Sequence, residues 1–413
     1  MPQTETLLVG AAVRSVAVPA GTAMSGYAAR TSGSTGTHDP LTVRALVLGR
    51  IALVAVDCCV LHEDTCAVAR AAAIATGTAD EVVVHATHTH SGPCVGWGRA
   101  GADQPEVRAA VTAAIPDAVV AAAARRLPCA ARFSEAFGAD VARDRRHPER
   151  RIDPPVQTVG FDHDGRRVAT LVTYACHPVV LDAANTLISG DFVASLREQV
   201  EQAFPGSVCV YVTGAAGDVN PGDFSPESSY VPGGEGHSFA DAERIGRTLA
   251  RTALDAPVCR IEAQDAAFAT AAVALETESE GDIAAEARVW RDELARGTDR
   301  AALLEEWLRW AEDRPHGTGW TGRVSVISVG ALRIVGLPGE PFLAASDRLR
   351  AAHDGPVLVL GYCDGVAGYL PDEAEYVHGG YEVADAHRYY GMPAPFARGS
   401  LERVIAAAGE LLQ

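Results

Sequence analysis

The chain has 413 residues, 48% of them hydrophobic, and a mean hydropathy of +0.05, which is the composition of a globular protein with a large core. It carries 35 basic against 53 acidic side chains, and the resulting net charge of −18 argues against a nucleic-acid partner. The sequence contains no lysine, which excludes a Schiff-base lysine, a phosphate-loop lysine and a carbamylated lysine that bridges two metals.

The sequence also indicates the compartment. The longest apolar stretches, around residues 51–56 and 109–124, are too short or too interrupted by charge to cross a bilayer. No basic segment precedes an apolar one at the N-terminus, so we find no secretory signal. The nine cysteines are odd in number and show no CxxC spacing, which is typical of reduced, mostly buried thiols. We therefore predict a cytoplasmic protein without stable membrane association; its oligomeric state is not predicted.

The first elements are predominantly strands. Apolar runs predict strands within residues 7–18 and 43–57, the latter being two strands joined by a tight turn at Gly49. An Ala-rich helix is predicted at 63–76, and the β-branched run at 82–84 predicts a short buried strand.

Three histidines follow that strand, namely His85, His88 and His90. His88 and His90 are two positions apart, so both imidazoles leave the same face of the backbone if the extended geometry continues. Imidazoles at the carboxyl end of a strand, beside a loop, are a common beginning of a metal site. The alternative for an isolated HxH pattern is a set of surface or capping histidines.

The middle of the chain alternates helices with strands. Helices are predicted at 105–126, after Asp191 and at 237–255, and strands at 130–144, 156–175 and 208–213. The strand pair at 156–175 leads directly to His177, which Pro178 follows. The arginine-rich run at 143–151 is predicted to be a solvated basic turn. The glycine-rich turn at 214–224 lacks a lysine and runs into proline, unlike a phosphate loop.

The last part of the chain contains a charged helical excursion at 281–316. It carries Trp290, Trp307, Trp310 and His316; we favour an amphipathic surface helix pair, and a cover over the site is the alternative. A hairpin at 323–336 leads to Glu340, the strand at 357–362 precedes Tyr369, and the final helix is predicted at 400–412. The strand and helix alternation predicts an α/β fold.

Four polar residues therefore follow apolar strands, each beside Gly or Pro: His88, His177, Glu340 and Tyr369. Two neutral imidazoles and a carboxylate form a hydrolytic zinc set that leaves an open position for water. Zinc lowers the pKa of that water and polarises a carbonyl group. A phenol as a further ligand does not follow from this pattern alone.

Five motifs in this order, HATHTHSGP, YACHPVVLDAANTLISGD, TGAAGDVNP, LPGEPF and AGYLPDEAEYVHGGYEV, resemble the catalytic domain of the neutral (non-lysosomal) ceramidase family. The resemblance runs from about residue 20 to residue 383, nearly the whole chain. The resemblance implies one zinc ion per chain, held by His88, His177, Glu340 and Tyr369. It also implies that His90 and Tyr381 contact the scissile amide or its oxyanion, and that Arg145 contacts the substrate, with Arg143 as the alternative.

The departures from the family bear on the substrate. Asn220 stands where the family has a serine, so we do not predict a serine mechanism. Family members that act on ceramide usually carry a secretory signal and a C-terminal β-sandwich domain, whereas this chain resembles the shorter bacterial members. We expect a single α/β domain over residues 1–413, with a mixed β-sheet core flanked by helices and no C-terminal β-sandwich.

The predicted function is a zinc-dependent amidohydrolase that cleaves a linear amide, an N-acyl or peptide-like bond, by metal-activated water. The expected substrate is a small, soluble amide other than ceramide. The alternatives are an acyltransferase that uses an amine on the same site, and a non-catalytic metal-binding scaffold. A TIM-barrel amidohydrolase is disfavoured, because it needs the carbamylated lysine and eight regular βα units.

Four further residues beside these motifs have less specific predictions. Asp57 and Asp191 are predicted to be turn or capping groups rather than carboxylates that orient a histidine ligand. Cys94 and Cys176 are predicted to be buried small hydrophobic residues rather than thiolate ligands.

Overall fold

The computed structural model describes residues 7–222, 236–279, 281–314, 317 and 319–413. Its strands are β1 (Leu8–Val16), β2 (Gly36–Thr37), β3 (Leu41–Leu48), β4 (Ile51–Val56), β5 (Glu81–Ala86), β6 (Leu127–Pro128), β7 (Ala130–Ala136), β8 (Ala142–Asp144), β9 (Val156–His163), β10 (Arg166–Tyr174), β11 (Leu187–Ile188), β12 (Val208–Thr213), β13 (Val219–Pro221), β14 (Val258–Ile261), β15 (Ala266–Glu276), β16 (Gly319–Val329), β17 (Leu332–Gly336), β18 (Glu340–Pro341), β19 (Val357–Leu360) and β20 (Tyr369–Leu370). Its α-helices are α1 (Glu63–Ala75), α2 (Pro105–Ala123), α3 (Phe192–Ala203), α4 (Phe239–Asp255), α5 (Ile283–Arg296), α6 (Ala301–Asp313), α7 (Leu343–Ala351) and α8 (Ser400–Leu411). Short helical turns follow β20, at Glu373–His378, Tyr381–Asp385 and Ala386–Tyr390.

The core strands of the described residues form three mixed sheets. The first sheet has the order β5-β4-β3-β1-β6, the second β12-β10-β9-β7-β14, and the third β15-β16-β17-β19. Each sheet contains one parallel pair at an edge: β4 with β5, β10 with β12, and β17 with β19. The other neighbours in these sheets are antiparallel. Three mixed sheets exclude the closed barrel of eight parallel strands.

The sheets are buried on both faces. In β4, Leu53 and Ala55 point into an apolar cluster that residues of all three sheets share, whereas Val54 and Val56 point into the cluster on the helix side. A strand that is buried on both faces has a continuous apolar run rather than an alternating one. This explains why the β4 sequence, IALVAV, shows no polar face.

Helices cover the outer faces of the sheets. Helix α2 packs on β1 and β3, α3 and α4 pack on the second sheet, and α7 and α8 pack on the third. Gly10 permits the close approach of α2, because a Cβ atom at this position would lie 2.1 Å from the carbonyl oxygen of Ala122. The predicted mixed-sheet core with flanking helices is confirmed.

The three parallel pairs share one plan. In each, a helix connects the two strands: α1 between β4 and β5, α3 between β10 and β12, and α7 between β17 and β19. The carboxyl ends of these strands meet. His85, near the end of β5, forms an isolated bridge with Cys363, and Leu360, at the end of β19, forms one with Gly214, directly after β12. Ligand sites of parallel sheets lie at the carboxyl ends of strands, so the loops after all six strands converge on one region.

Helices α5 and α6 form a hairpin with its own apolar cluster, which includes Trp290, Trp307 and Trp310. The guanidinium of Arg388 lies 5.1, 4.4 and 5.5 Å from the ring centroids of these three tryptophans, which holds the hairpin against the turn at Ala386–Tyr390. His316 lies outside the described residues. Among the helices that the structure describes, none is both long and apolar enough to cross a membrane.

Candidate metal centre and cavity

The two histidines after β5 approach each other, but not by extended geometry. Strand β5 ends at Ala86, and His88 adopts a left-handed backbone with φ +67°, so the assumption that the strand continues was wrong. The turn nevertheless brings Nε2 of His90 to 3.3 Å from Nε2 of His88. A non-glycine residue with positive φ is strained, and such strain concentrates at functional sites. His85 points elsewhere, since its Nδ1 bonds the Gly361 carbonyl oxygen.

His88 and His177 present the same ring nitrogen to one carboxylate. Nδ1–H of His88 donates to the Cys59 carbonyl oxygen at 2.7 Å, and Nδ1–H of His177 donates to that of Val219 at 3.0 Å. These bonds fix the tautomer that leaves Nε2 free as a ligand atom. Both Nε2 atoms lie 3.2 Å from Oε2 of Glu340.

Glu340 is fully buried in the short strand β18. Burial alone would raise the pKa of this carboxyl group, but His88 and His177 hold it well below its usual range. The pKa of His88 is raised to about 10, because the Glu340 carboxylate outweighs the effect of burial. The pKa of His177 is lowered to about 4, by burial first and then by the charge of Arg145. The ionised Glu340 carboxylate is therefore paired with a protonated His88, whose Nε2 proton a bound cation would displace.

Tyr369 lies opposite Glu340, because β18 and β20 pair with these two residues in register. Burial and the Glu340 carboxylate raise the pKa of the Tyr369 phenol. The ring of Tyr381 lies 5.7 Å from that of Tyr369, and the Arg145 guanidinium lies 5.3 Å from the Tyr369 ring centroid. The structure therefore places these predicted site residues together, around the two histidines and the glutamate.

The basic run at 143–151 is not a solvated turn throughout. The side chains of Arg145 and Arg146 are only 6% and 7% exposed and form ion pairs with Glu382, which is far away in the sequence; that part of the prediction was wrong. Nη1 of Arg145 also donates to Oδ1 of Asn220, and Nη2 has no hydrogen-bond partner among the described residues. Arg143 is more exposed and pairs with Asp140, so the geometry favours Arg145 over Arg143 as the residue at the site.

A cavity of about 1000 Å³ adjoins this centre. Its wall includes most of the site residues described above, namely His90, Arg145, Asn220, Tyr369 and Tyr381. Helix α6 supplies another part of the wall, with Leu303, Glu306 and Trp307. Helix α6 is amphipathic, as we favoured for 281–316, with one face buried and charged residues exposed on the other; it also covers part of the cavity, as in the alternative.

The residues at the centre fit a divalent cation. His88, His177 and Glu340 each offer a ligand atom, and these atoms lie within 4.8 Å of one another. A second set, Cys59, His88 and His90, shares His88 with the first. The first set fits zinc better, because it combines two imidazoles of fixed tautomer with a carboxylate that is already ionised.

Sequence reasoning missed two tyrosines of this centre. Tyr390 donates its hydroxyl to Oε1 of Glu340, and the Tyr362 ring stacks on His88 with centroids 4.2 Å apart. Like His88, Tyr362 has a positive φ, of +56°. It comes after strand β19 and Gly361. In the sequence, the position of Tyr362 after a strand is the only indication that it belongs to the site. Tyr390 lies in a tyrosine pair beyond the matched motifs, and nothing in the sequence indicates its role.

The less specific predictions had mixed outcomes. Asp191 does cap α3, accepting a hydrogen bond from the Phe192 N–H, and Cys94 and Cys176 are buried as expected. Asp57 is neither a turn nor a capping group. It is buried and forms a two-pronged ion pair with Arg197, with N–O distances of 2.8 and 2.9 Å.

Comparison with known proteins finds relatives by structure. No family model matches the chain, and the search of curated proteins finds no match. Neutral ceramidase from Pseudomonas aeruginosa has a similar solved structure, with a TM-score of 0.75 and 18% sequence identity over 98% of this chain and 74% of that chain. A ceramidase complexed with C2 is similar at a TM-score of 0.74 and 18% identity, with the same coverage.

The chain has the neutral ceramidase fold. This confirms the resemblance that the five motifs indicated, and it does so over nearly the whole chain. At 18% identity the likeness establishes the neutral ceramidase fold and not the reaction, so the chemistry has to be argued from the residues of this chain.

Proposed function

We propose that this protein is a metal-dependent hydrolase of linear amides, with one zinc ion per chain held by His88, His177, Glu340 and Tyr369. One observation carries the proposal: Oε2 of Glu340 lies 3.2 Å from Nε2 of both His88 and His177, beside a cavity of about 1000 Å³. The fold supports it, because the similar solved structures are ceramidases and ceramide is a linear amide.

Zinc, when bound, supplies a water of lowered pKa and a Lewis acid for the amide carbonyl. The protein residues around it hold their positions before the substrate enters. Cys59 and Val219 accept the Nδ1–H bonds of the two histidines through their carbonyl oxygens, and the Tyr390 hydroxyl orients Glu340. Such outer contacts fix the direction of the ligand atoms.

We assign the substrate-facing roles to His90, Tyr381 and Arg145. Burial, with the charges of His88 and His177 next, lowers the pKa of His90, so its imidazole is neutral at pH 7. Burial raises the pKa of the Tyr381 phenol, which therefore remains a hydrogen-bond donor. Both groups line the cavity and are suited to bind the carbonyl oxygen as negative charge develops on it, while Arg145 in the same wall adds a charged donor.

The cavity supports a small, water-soluble amide as the substrate. Charged side chains line the wall on the side of α6, namely Glu305 and Arg309 of the helix and Arg300 directly before it, and these would contact a lipid chain unfavourably. The net charge of −18 also opposes binding to an anionic membrane surface. For the compartment we propose the cytoplasm, supported by nine free cysteines, eight of which are buried.

The test combines metal analysis with turnover of a panel of N-acyl compounds of increasing acyl length, including ceramide in detergent micelles. The wild-type protein is expected to contain about one zinc ion per chain and to release the free acid and amine from short, soluble amides fastest. His177→Ala is expected to lose both zinc and activity, whereas the control His163→Ala, at the end of β9, is expected to keep both.

Four results would contradict the proposal in different ways. Full zinc content in His177→Ala would remove the ligand assignment, and zinc without turnover of any amide would leave a metal-binding scaffold. Products in which an added amine replaces water would make the protein an acyltransferase. Higher kcat/KM on ceramide than on every soluble amide would overturn the proposed substrate class.

A further inference from the structure

Arg30 is a buried cation in the wall of the cavity. It lies in the loop between β1 and β2, with only 8% of its surface exposed. Its Nη1 donates to the carbonyl oxygens of His90 at 2.7 Å and Ser25 at 3.1 Å, and its Nη2 donates to that of Asp182 at 2.9 Å. The guanidinium is therefore fixed directly beside the backbone of His90, next to the proposed reaction centre.

The charge of Arg30 is not balanced in the way that the other buried arginines are. Arg44 pairs with Glu201, Arg99 with Glu63 and Arg197 with Asp57. Arg30 contacts neutral carbonyl oxygens and the Tyr27 ring instead. In the part of the chain that the structure describes, it forms no ion pair at contact distance, and the buried Asp182 carboxylate acts on its charge only from further away. A buried charge without a contacting partner of opposite sign is costly, so an anionic group would be favoured beside it.

The unused donors of Arg30 suit a planar anion. A guanidinium has five N–H donors. The carbonyl contacts use both hydrogens of Nη1 and one hydrogen of Nη2. Nε is buried and has no hydrogen-bond partner among the described residues, so Nε and one Nη2 hydrogen are unpaired in a side chain that lines the cavity. Nε and Nη2 form the edge of the guanidinium that binds a carboxylate through two parallel hydrogen bonds.

We propose that Arg30 forms a carboxylate subsite of the cavity, so that the substrate is an amide that carries a free carboxylate, such as an N-acyl amino acid. This inference rests on the proposed amide hydrolysis and specifies its substrate class. The carboxylate belongs either to the amine part or to the acyl part of the amide. In both cases Arg30 positions the substrate relative to His90 and supplies binding energy away from the scissile bond.

The test is calorimetric binding of two matched ligand pairs to the zinc-loaded protein. N-acetylphenylalanine and its methyl amide differ in the carboxylate of the amine part; N-succinyl and N-butyryl phenethylamine differ in that of the acyl part. We expect the acid of one pair to bind at least about tenfold more tightly than its neutral partner, the scale of a charged hydrogen bond. The pair that shows the preference identifies the part that carries the carboxylate.

Variants locate the subsite. Arg30→Gln is expected to reduce the preference for the acid to less than about twofold, whereas Arg309→Gln, which removes a positive charge from the α6 side of the same cavity, is expected to keep it. Loss of the preference in Arg309→Gln with retention in Arg30→Gln would overturn the assignment. Because Arg30 also joins three loops, the melting temperature of Arg30→Gln is measured alongside.

The comparison of acid with neutral partner on wild-type protein does not depend on the folding of any variant. Equal affinities within both pairs, or binding of none of the four ligands, would overturn the carboxylate subsite. Turnover of amides without any preference for the acids would refute the subsite and leave amide hydrolysis standing. A clear preference in binding with no turnover would instead refute the proposed hydrolysis.

Discussion

Tyr390 donates a hydrogen bond to Oε1 of Glu340, while Oε2 of the same carboxylate faces His88 and His177. One oxygen is thus held by a neutral donor, and the other is left for a cation. The phenol lies on the turn that α6 contacts, fifty residues after the carboxylate that it orients.

Tyr390→Phe is expected to weaken zinc binding by about 10- to 100-fold, the usual effect of removing a group that orients a metal ligand. The measurement is competition with a chelator of known affinity. Tyr376→Phe is the matched control, because its hydroxyl donates to the Phe396 carbonyl oxygen instead of a site residue. Equal loss of zinc affinity in both variants would show that Tyr390 has no specific role.

Tyr381→Phe and His90→Ala are expected to keep zinc and to lose about 3 kcal/mol of transition-state stabilisation each, about 10²- to 10³-fold in kcat. The reason is that both line the cavity but neither belongs to the set His88, His177 and Glu340. Metal content and kcat are measured on the same preparations. Loss of zinc in His90→Ala would favour the second ligand set, which contains Cys59 and His90.

Arg145→Gln is expected to lower kcat/KM by about tenfold or more, since a charged hydrogen bond to the substrate is removed. Arg143→Gln tests the alternative arginine, in β8, and it is expected to change kcat/KM by less than about twofold because its ion pair with Asp140 is exposed. The opposite order of effects would assign the substrate contact to Arg143.

The ion pair of Asp57 with Arg197 predicts a pH dependence of stability. Burial alone would raise the pKa of Asp57, but Arg197 and the Thr42 hydroxyl hold it below its usual range. The stabilisation is therefore present above the unfolded-state pKa, about 4, and is lost as the pH falls towards the folded-state value. Asp57→Asn is expected to lower the free energy of unfolding by about 3–5 kcal/mol at pH 7, because it leaves Arg197 buried and unpaired.

Urea unfolding between pH 3 and pH 7 measures both effects. The difference between wild type and Asp57→Asn is expected to shrink as the pH falls, with Asp80→Asn, in the exposed pair with Arg50, as a control that behaves like wild type. A difference that stays constant over this range would contradict the assigned titration of Asp57.

The sequence predicted the elements and the centre well where short motifs carry the information. The strands before His88, His177 and Glu340 are each marked by an apolar run that ends at Gly, Pro or a histidine, so local pattern is enough to find them. The local pattern does not predict where the ends of these strands meet. Their meeting point depends on three sheets that share one apolar cluster, and no local pattern specifies which sheets pack together.

The errors have the same physical origin. Arg145 and Arg146 looked like surface groups because their partner Glu382 lies 236 or more residues away in the sequence. His88 looked extended because its left-handed turn is maintained by contacts such as the Cys59 carbonyl oxygen, in the loop after another strand. Arg30 had no motif at all, and its burial follows from the packing of three loops.

The plan of three strand–helix–strand units has a consequence for how the chain folds. Each unit brings one or more of the proposed ligands, and these lie at positions 88, 177 and 340–369, so no single unit holds the complete set. Contacts between such distant residues form late, after the long intervening loops have closed. Zinc would then bind only the fully assembled chain, and stabilise it by mass action. During refolding, zinc uptake should therefore lag behind the recovery of the helical circular dichroism signal. The rate of zinc uptake would then report the last step of assembly.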